Sequence, residues 1–168
     1  MWHGVRDNTA LNGWDTEKQG IECIRTGFKW ILFREPGEVV YKDIDAYLWA
    51  ERPVPSPYLV DGKLSERAER GKKIFEDPKV GCLRCHPGEY FTDQKPHNVR
   101  TRCYFDTVDA FYTPTLIEVW RTAPYMHDGR YLTMKEVFKH GKHGDGAGDV
   151  SGLSDEQIDD LVEYVLSL

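Results

Sequence analysis

Apolar positions recur at helical spacing in several stretches of this chain. Near the C-terminus Ile158, Leu161, Val162, Val165 and Leu166 fall at i, i+3, i+4 intervals, with Tyr164 beside the stripe, which predicts an amphipathic helix. Ser154-Asp155-Glu156-Gln157 ahead of it has the spacing of a helix cap. Ala68, Gly71 and Phe75 share one face of another helix, opened by Ser65 as N-cap with Leu64 as staple residue. Gly71 in mid-helix costs about 1 kcal/mol against alanine. A packing reason is therefore expected: the first and last helices of this segment cross near Gly71.

The N-terminal third is less regular. Ile21, Ile24, Phe28, Ile31 and Leu32 recur helically, weakened by Gly27, and Tyr41, Ile44, Tyr47 and Leu48 form a better helical face running to Ala50. Asn12-Gly13 and Glu35-Pro36-Gly37 are turn signals. Pro53-Val54-Pro55-Ser56-Pro57 then stops the helix and forms a stiff connector. It divides the chain into residues 1–57, an N-terminal segment with its proline-rich linker, and residues 58–168, a small helical domain. Between Thr92 and Thr113 no period emerges, and loop is predicted. Residues 141–148 are glycine-rich.

Composition adds exclusions. With 168 residues, 40% hydrophobic and 12% aromatic, the chain carries enough apolar surface for a core and is not a disordered sequence. A formal charge of -6 without a Lys/Arg-rich run argues against nucleic acid. No apolar stretch approaches membrane-spanning length. Met1-Trp2-His3-Gly4 lacks the basic and apolar regions of a signal peptide. A mature protein or the C-terminal piece of a longer one is therefore expected.

The decisive chemistry is Cys82-Leu83-Arg84-Cys85-His86. Two thiols at this spacing, followed directly by histidine, are the attachment signature of a c-type haem. Cys82 and Cys85 each form a thioether to a haem vinyl group, and His86 turns its imidazole to the iron. A zinc site would need a second Cys or His pair, and Cys23 and Cys103 stand isolated in the sequence. A thioredoxin-type pair would follow a buried strand, which Lys79-Val80-Gly81 does not form. Such haem attachment takes place outside the cytoplasm in bacteria, so a periplasmic or otherwise extracytoplasmic location is expected. There Cys23 and Cys103 either form a disulfide or remain two buried thiols.

Two runs carry a family resemblance. Leu64 to Phe75 followed by Cys82 to His86 resembles the first helix and haem turn of class I cytochromes c. Thr113-Pro114-Thr115-Leu116 through Ala123-Pro124-Tyr125-Met126-His127-Asp128-Gly129, then Thr133 to Phe138, resembles the C-terminal haem domain of bacterial di-haem cytochrome c peroxidases and their methylamine-utilisation relatives. The resemblance is strong over residues 64–168 and weak before. It implies a mainly α, class I cytochrome c-like haem domain, preceded by a haem-less, degenerate cytochrome c-like segment. Cys23 has no partner cysteine and no adjacent histidine, so that segment lacks the family's first haem.

The resemblance also places a distal iron ligand near Gly141, which cannot ligate. His143 is the first choice, since Gly144 lets the backbone come close, and His140 is the second. Met134 and Met126 are the remaining options, and solvated loop histidines would leave the iron five-coordinate. Arg121, Tyr125 and His127 are candidates for contact with the haem propionates or edge, with a structural turn favoured over catalysis. Trp120 is expected in the core against the porphyrin, and His97 in an exposed loop. A calcium ion held by Asp145, Asp149 and the carbonyls around Gly146 is the weakest option. The expected function is electron transfer through one haem c, its iron cycling Fe(II)/Fe(III), with a redox partner protein, no nucleic acid and no membrane span. The alternative is a peroxidase-like enzyme or a haem subunit of a larger multi-haem oxidoreductase, with His127 and Arg121 as distal acid and charge stabiliser around an open iron.

Overall fold

A computed structural model describes residues 17–168, without the side chains of residues 17–20, Cys23 and Trp49. Asn12-Gly13 and the first four residues lie outside that range. The described chain is mainly helical: α1 (Glu17–Trp30), α2 (Glu38–Ala50), α3 (Glu66–Glu76), α4 (Met134–Lys139) and α5 (Asp155–Leu166). Short 3-10 turns at Cys82–Arg84 and Val119–Arg121 complete the helical part. None of the described helices is long and apolar enough to cross a membrane.

The helix starts follow from local chemistry. The Ser65 hydroxyl accepts from Ala68 N at 3.0 Å, and both Ser154 with Gln157 and Thr133 with Glu136 form complete capping boxes. Pro96–His97 pairs antiparallel with Phe111–Tyr112, inside the stretch predicted as loop. Two-residue strands are too short to leave a period-2 pattern. In the N-terminal third, α1 ends at Trp30, so Ile31 and Leu32 fall beyond it and are exposed. On α2, Tyr41 and Leu48 are buried but Tyr47 points outward. The two helices meet through Phe28 and Tyr41, edge to face at 5.8 Å.

The core sits between α3 and α5. At Gly71 an added Cβ would lie 1.9 Å from the Asp160 carbonyl oxygen and 2.8 Å from Tyr164 Cβ, so the helices cross at the expected glycine. Phe75 stacks edge-on with Tyr164 on one side, at 5.4 Å, and Phe91 on the other, at 6.0 Å. Val137 and Phe138 of α4 join Leu161 and Val165 of α5 in the same cluster.

A charged clasp closes the crossing. Asp160, 4% exposed, accepts from Arg70 Nε at 2.7 Å and Arg70 Nη2 at 2.8 Å, and from Arg67 Nε at 3.2 Å. The Arg70 hydrogen bond, against the opposing effect of burial, holds the Asp160 carboxyl below its usual range. A depressed carboxyl contributes stability above its unfolded pKa of about 4, and that contribution is lost as pH falls through the lower folded value. Both arginines are half-exposed, so Asp160→Asn is expected to cost about 1–2 kcal/mol at pH 7. Urea unfolding at pH 7 and pH 3 checks this. The gap between variant and parent should narrow in acid, and an equal gap at both pH values would refute the assignment.

The proline-rich stretch at residues 53–57 is strapped to the C-terminal part of the chain. Val54 N donates to Glu118 Oε1 at 2.6 Å, and Ser56 Oγ donates to Leu166 O at 2.6 Å. Glu118 is only 1% exposed and also holds Arg121 at 2.6 Å.

Candidate functional site: the haem turn and the loop facing it

Gly81, at φ +80°, opens a tight turn in which Cys85 N and His86 N both return to the Cys82 carbonyl, at 3.2 and 2.9 Å. The thiols therefore sit on a single 3-10 turn, and His86 follows immediately. His86 is 9% exposed, and its Nδ1–H donates to the Phe91 carbonyl at 2.8 Å. That bond commits Nδ1 and leaves the lone pair on Nε2, the tautomer a metal needs. Burial pushes the Cys82 thiol up to about 11 and raises Cys85 too, aided there by Asp93. A reactive dithiol pair has lowered pKa values, so this electrostatic setting does not fit a thioredoxin-type centre.

Across from His86 stands His143. The ring centroids are 6.3 Å apart at 61°, and no hydrogen bond joins the rings. Burial, with His86 nearby, drives the His143 pKa down to about 4, so its ring is neutral. His86 is also lowered, burial outweighing the Phe91 carbonyl. Metal–imidazole bonds of about 2 Å, with about 1 Å from ring nitrogen to ring centre, put two imidazoles on one metal about 6 Å apart. The observed separation fits that spacing.

The loop bearing His143 is held against the haem turn by backbone contact. His143 N bonds Val137 O at 3.2 Å at the end of α4, and Asp149 N bonds Lys79 O at 2.9 Å. At Gly148 an added Cβ would lie 2.1 Å from the Val80 carbonyl oxygen. Gly144, at φ +103°, turns the chain directly after His143. Asp145 closes the loop by accepting from Val150 N, Ser151 N and the Ser151 hydroxyl, and Asp149 accepts from Gly152 N. Both carboxylates suggested for calcium thus serve the loop itself, and among the described residues they form no metal-ligand cluster.

The other candidates are placed as follows. His140 is exposed at the C-cap of α4 and does not face His86. Met134 is buried in the core, and Met126 packs against it from a turn at φ +70°. Tyr125 donates to Val119 O at 3.2 Å. Arg121 is engaged by Glu118, and His127 by Asp106 at 2.8 Å. His97, expected to be exposed, is half-buried and bonded to Asp93 at 2.7 Å. Trp120 packs on the core with its Nε1 buried and unpartnered, as is His143 Nδ1. A haem brings carboxylate acceptors and an iron, the kinds of partner these two rings lack. Cys103 is a free thiol, and Cys23 lies outside the described side chains. Sequence reasoning missed Gly148 and Glu118, whose roles rest on contacts distant in sequence.

An attachment turn whose histidine faces a second one with ring centroids 6.3 Å apart, set in a crossed-helix domain, defines a covalent-haem module of the c type. Residues 68–168 match the cytochrome c family, and the chain belongs to it. Hydrazine synthase subunit gamma of Kuenenia stuttgartiensis is 32% identical over 165 residues, covering 73% of this chain and 47% of that protein. A cytochrome-c peroxidase, IdrP1 of Denitromonas iodatirespirans, is 27% identical over 154 residues, covering 62% of this chain and 41% of its own length. The solved hydrazine synthase of Kuenenia stuttgartiensis superposes with a TM-score of 0.72 at 27% identity, over 87% of this chain and 60% of that one. The chain therefore spans about half or less of the curated relatives. The resemblance to di-haem peroxidases and the cytochrome c fold are borne out.

Proposed function

We propose that this chain is an electron-transfer haem domain, with His86 and His143 as the two residues that would hold the iron of one c-type haem. The observation that carries the proposal is the pair of facing imidazoles with ring centroids 6.3 Å apart. When bound, the haem supplies a one-electron Fe(II)/Fe(III) couple. Cys82 and Cys85 would anchor it, each thiol adding across a haem vinyl double bond so that sulfur takes one carbon and the thiol hydrogen the other. His86, oriented by the Phe91 carbonyl, would hold the iron, and His143 would be the second residue to hold it, leaving no place there for water or peroxide. The His86 imidazole is held by the Phe91 carbonyl and the backbone at His143 by the Val137 carbonyl, so the same ligands would serve both oxidation states with little rearrangement. Leu83, between the two cysteines, is 43% exposed, and the attachment turn thus offers an edge to a partner. The formal charge of -6 favours a basic partner surface.

Attachment chemistry of this kind supports a site of action outside the cytoplasm. The likeness to a gamma subunit of hydrazine synthase supports work within a larger redox assembly. A peroxidase reading is less well supported. Its candidate acid, His127, is held by Asp106 and stacked on Phe111, and its candidate cation, Arg121, is held by Glu118.

Absorption spectra of the purified haem protein, ferric and dithionite-reduced, with and without peroxide, test the proposal. The expected result is a low-spin spectrum with sharp reduced bands and no response to peroxide. A high-spin ferric spectrum that shifts with peroxide would replace electron transfer by the enzyme reading.

A further inference from the structure

Cys103 is isolated in the sequence, but the fold gives it company. Its Sγ, a carboxylate oxygen of Asp106 and a ring nitrogen of His127 all lie within 4.8 Å of one another. Among the described residues this is the one such group of three. Thiolate, imidazole and carboxylate together form a donor set that suits zinc.

The ligand atoms are already oriented. The His127 ring stacks on Phe111 at 3.8 Å and 16°, and its Nδ1 lies 3.4 Å from the Thr101 hydroxyl. Nε2 is thereby aimed at Asp106 Oδ2, 2.8 Å away. An imidazole held through its second nitrogen is the usual arrangement of a metal-binding histidine. The Asp106 carboxylate is set by the Cys103 N–H at 2.6 Å. Arg130, ion-paired to Asp128 at 2.6 Å, donates to the Thr101 carbonyl and joins the two segments a second time. The ligand-bearing loop has little packing of its own, since Tyr104 and Phe105 at its tip are 94% and 88% exposed. His127 and Asp106 retain 20% and 17% side-chain exposure, which leaves an ion a way in.

We propose that Cys103, Asp106 and His127 bind one zinc ion, with water in the fourth position. Zinc bonds of about 2.0–2.3 Å set ligand atoms about 3–4 Å apart. Separations of at most 4.8 Å are therefore already close to what zinc requires. Zinc displaces the Cys103 thiol proton to solvent; the His127 ring gives up its Nε2 proton and takes one at Nδ1, where it can donate to the Thr101 hydroxyl, so that two metal bonds replace the Asp106–His127 hydrogen bond. The result is a cross-link between the 101–106 loop and the 126–130 turn. The inference is independent of the iron ligands.

The test uses haem-loaded protein carrying Cys23→Ser, so that Cys103 is the one thiol outside the attachment motif. After chelator treatment it is titrated with zinc, while bound metal and the reaction of Cys103 with a disulfide reagent are followed. One zinc per chain and suppression of the thiol reaction are expected. Cys103→Ser, His127→Ala and Asp106→Asn should each weaken zinc binding about 10–100-fold or more, and Cys103→Ser and Asp106→Asn should do so with the haem bands unchanged. Absence of zinc uptake at about micromolar metal, or thiol reactivity indifferent to zinc in the protein with all three ligands intact, would overturn the proposal. So would uptake that survives all three substitutions.

Discussion

His143→Ala is expected to turn the ferric haem protein from low-spin to high-spin, while His140→Ala leaves it low-spin. The two residues are separated by Gly141 and Lys142, yet the fold treats them oppositely. His140 ends α4 in solvent. His143 is turned inward by Val137 O and Gly144 and lies 6.3 Å from His86. Removing its imidazole opens one coordination position, so the variant should gain a spectral response to peroxide that the parent lacks. His143→Met tests the same position without opening it. A thioether in place of imidazole should raise the midpoint potential on the order of 0.1 V, within the roughly 0.8 V that axial ligands span. Ferric and ferrous spectra with a redox titration decide the matter. An unchanged His143→Ala spectrum would remove His143 as ligand, and a change in His140→Ala alone would transfer the role to that residue.

Gly71→Ala is expected to lower stability by about 3 kcal/mol, the upper part of the usual overpacking range, or roughly 10–20 °C in Tm for a domain of this size. Helix propensity alone would favour the change by about 1 kcal/mol. Sterics win because the new methyl would sit 1.9 Å from a backbone carbonyl that cannot rotate away, with Tyr164 Cβ at 2.8 Å. The helices would have to part and release the Phe75–Tyr164 contact and the Asp160 clasp. Gly27→Ala in α1 is the matched control, since an added Cβ there meets nothing within 4 Å. It should be neutral or slightly stabilising. Thermal melts of both haem-loaded variants provide the comparison, and a Gly71→Ala protein as stable as its parent would contradict the close crossing.

How far the sequence reaches depends on the range of the interaction. The haem turn, Cys82 to His86, was legible because its chemistry is confined to five adjacent residues. Ser65 and Ser154 announced helix starts because a cap bonds only three residues ahead. Gly71 was legible because an uncompensated helical glycine asks for a close neighbour, although the identity of that neighbour, the Asp160 carbonyl, was not.

The tertiary structure alone decided the rest. It put His143, which Gly144 had already made the first choice in sequence, beside His86 and left His140 exposed, through the approach of Gly148 to Val80 and the bond from Asp149 to Lys79, contacts that no local pattern encodes. It buried Glu118 beneath the connector, where Val54 and Arg121 compensate its charge, although a lone glutamate in sequence reads as surface. It drew Cys103, Asp106 and His127 together, although the sequence separates the thiol from the imidazole by 23 intervening residues. Local hydrogen bonding is written in short spacings. Convergence of distant side chains depends on where the packed helices leave their connecting loops, and that is settled only when the core forms.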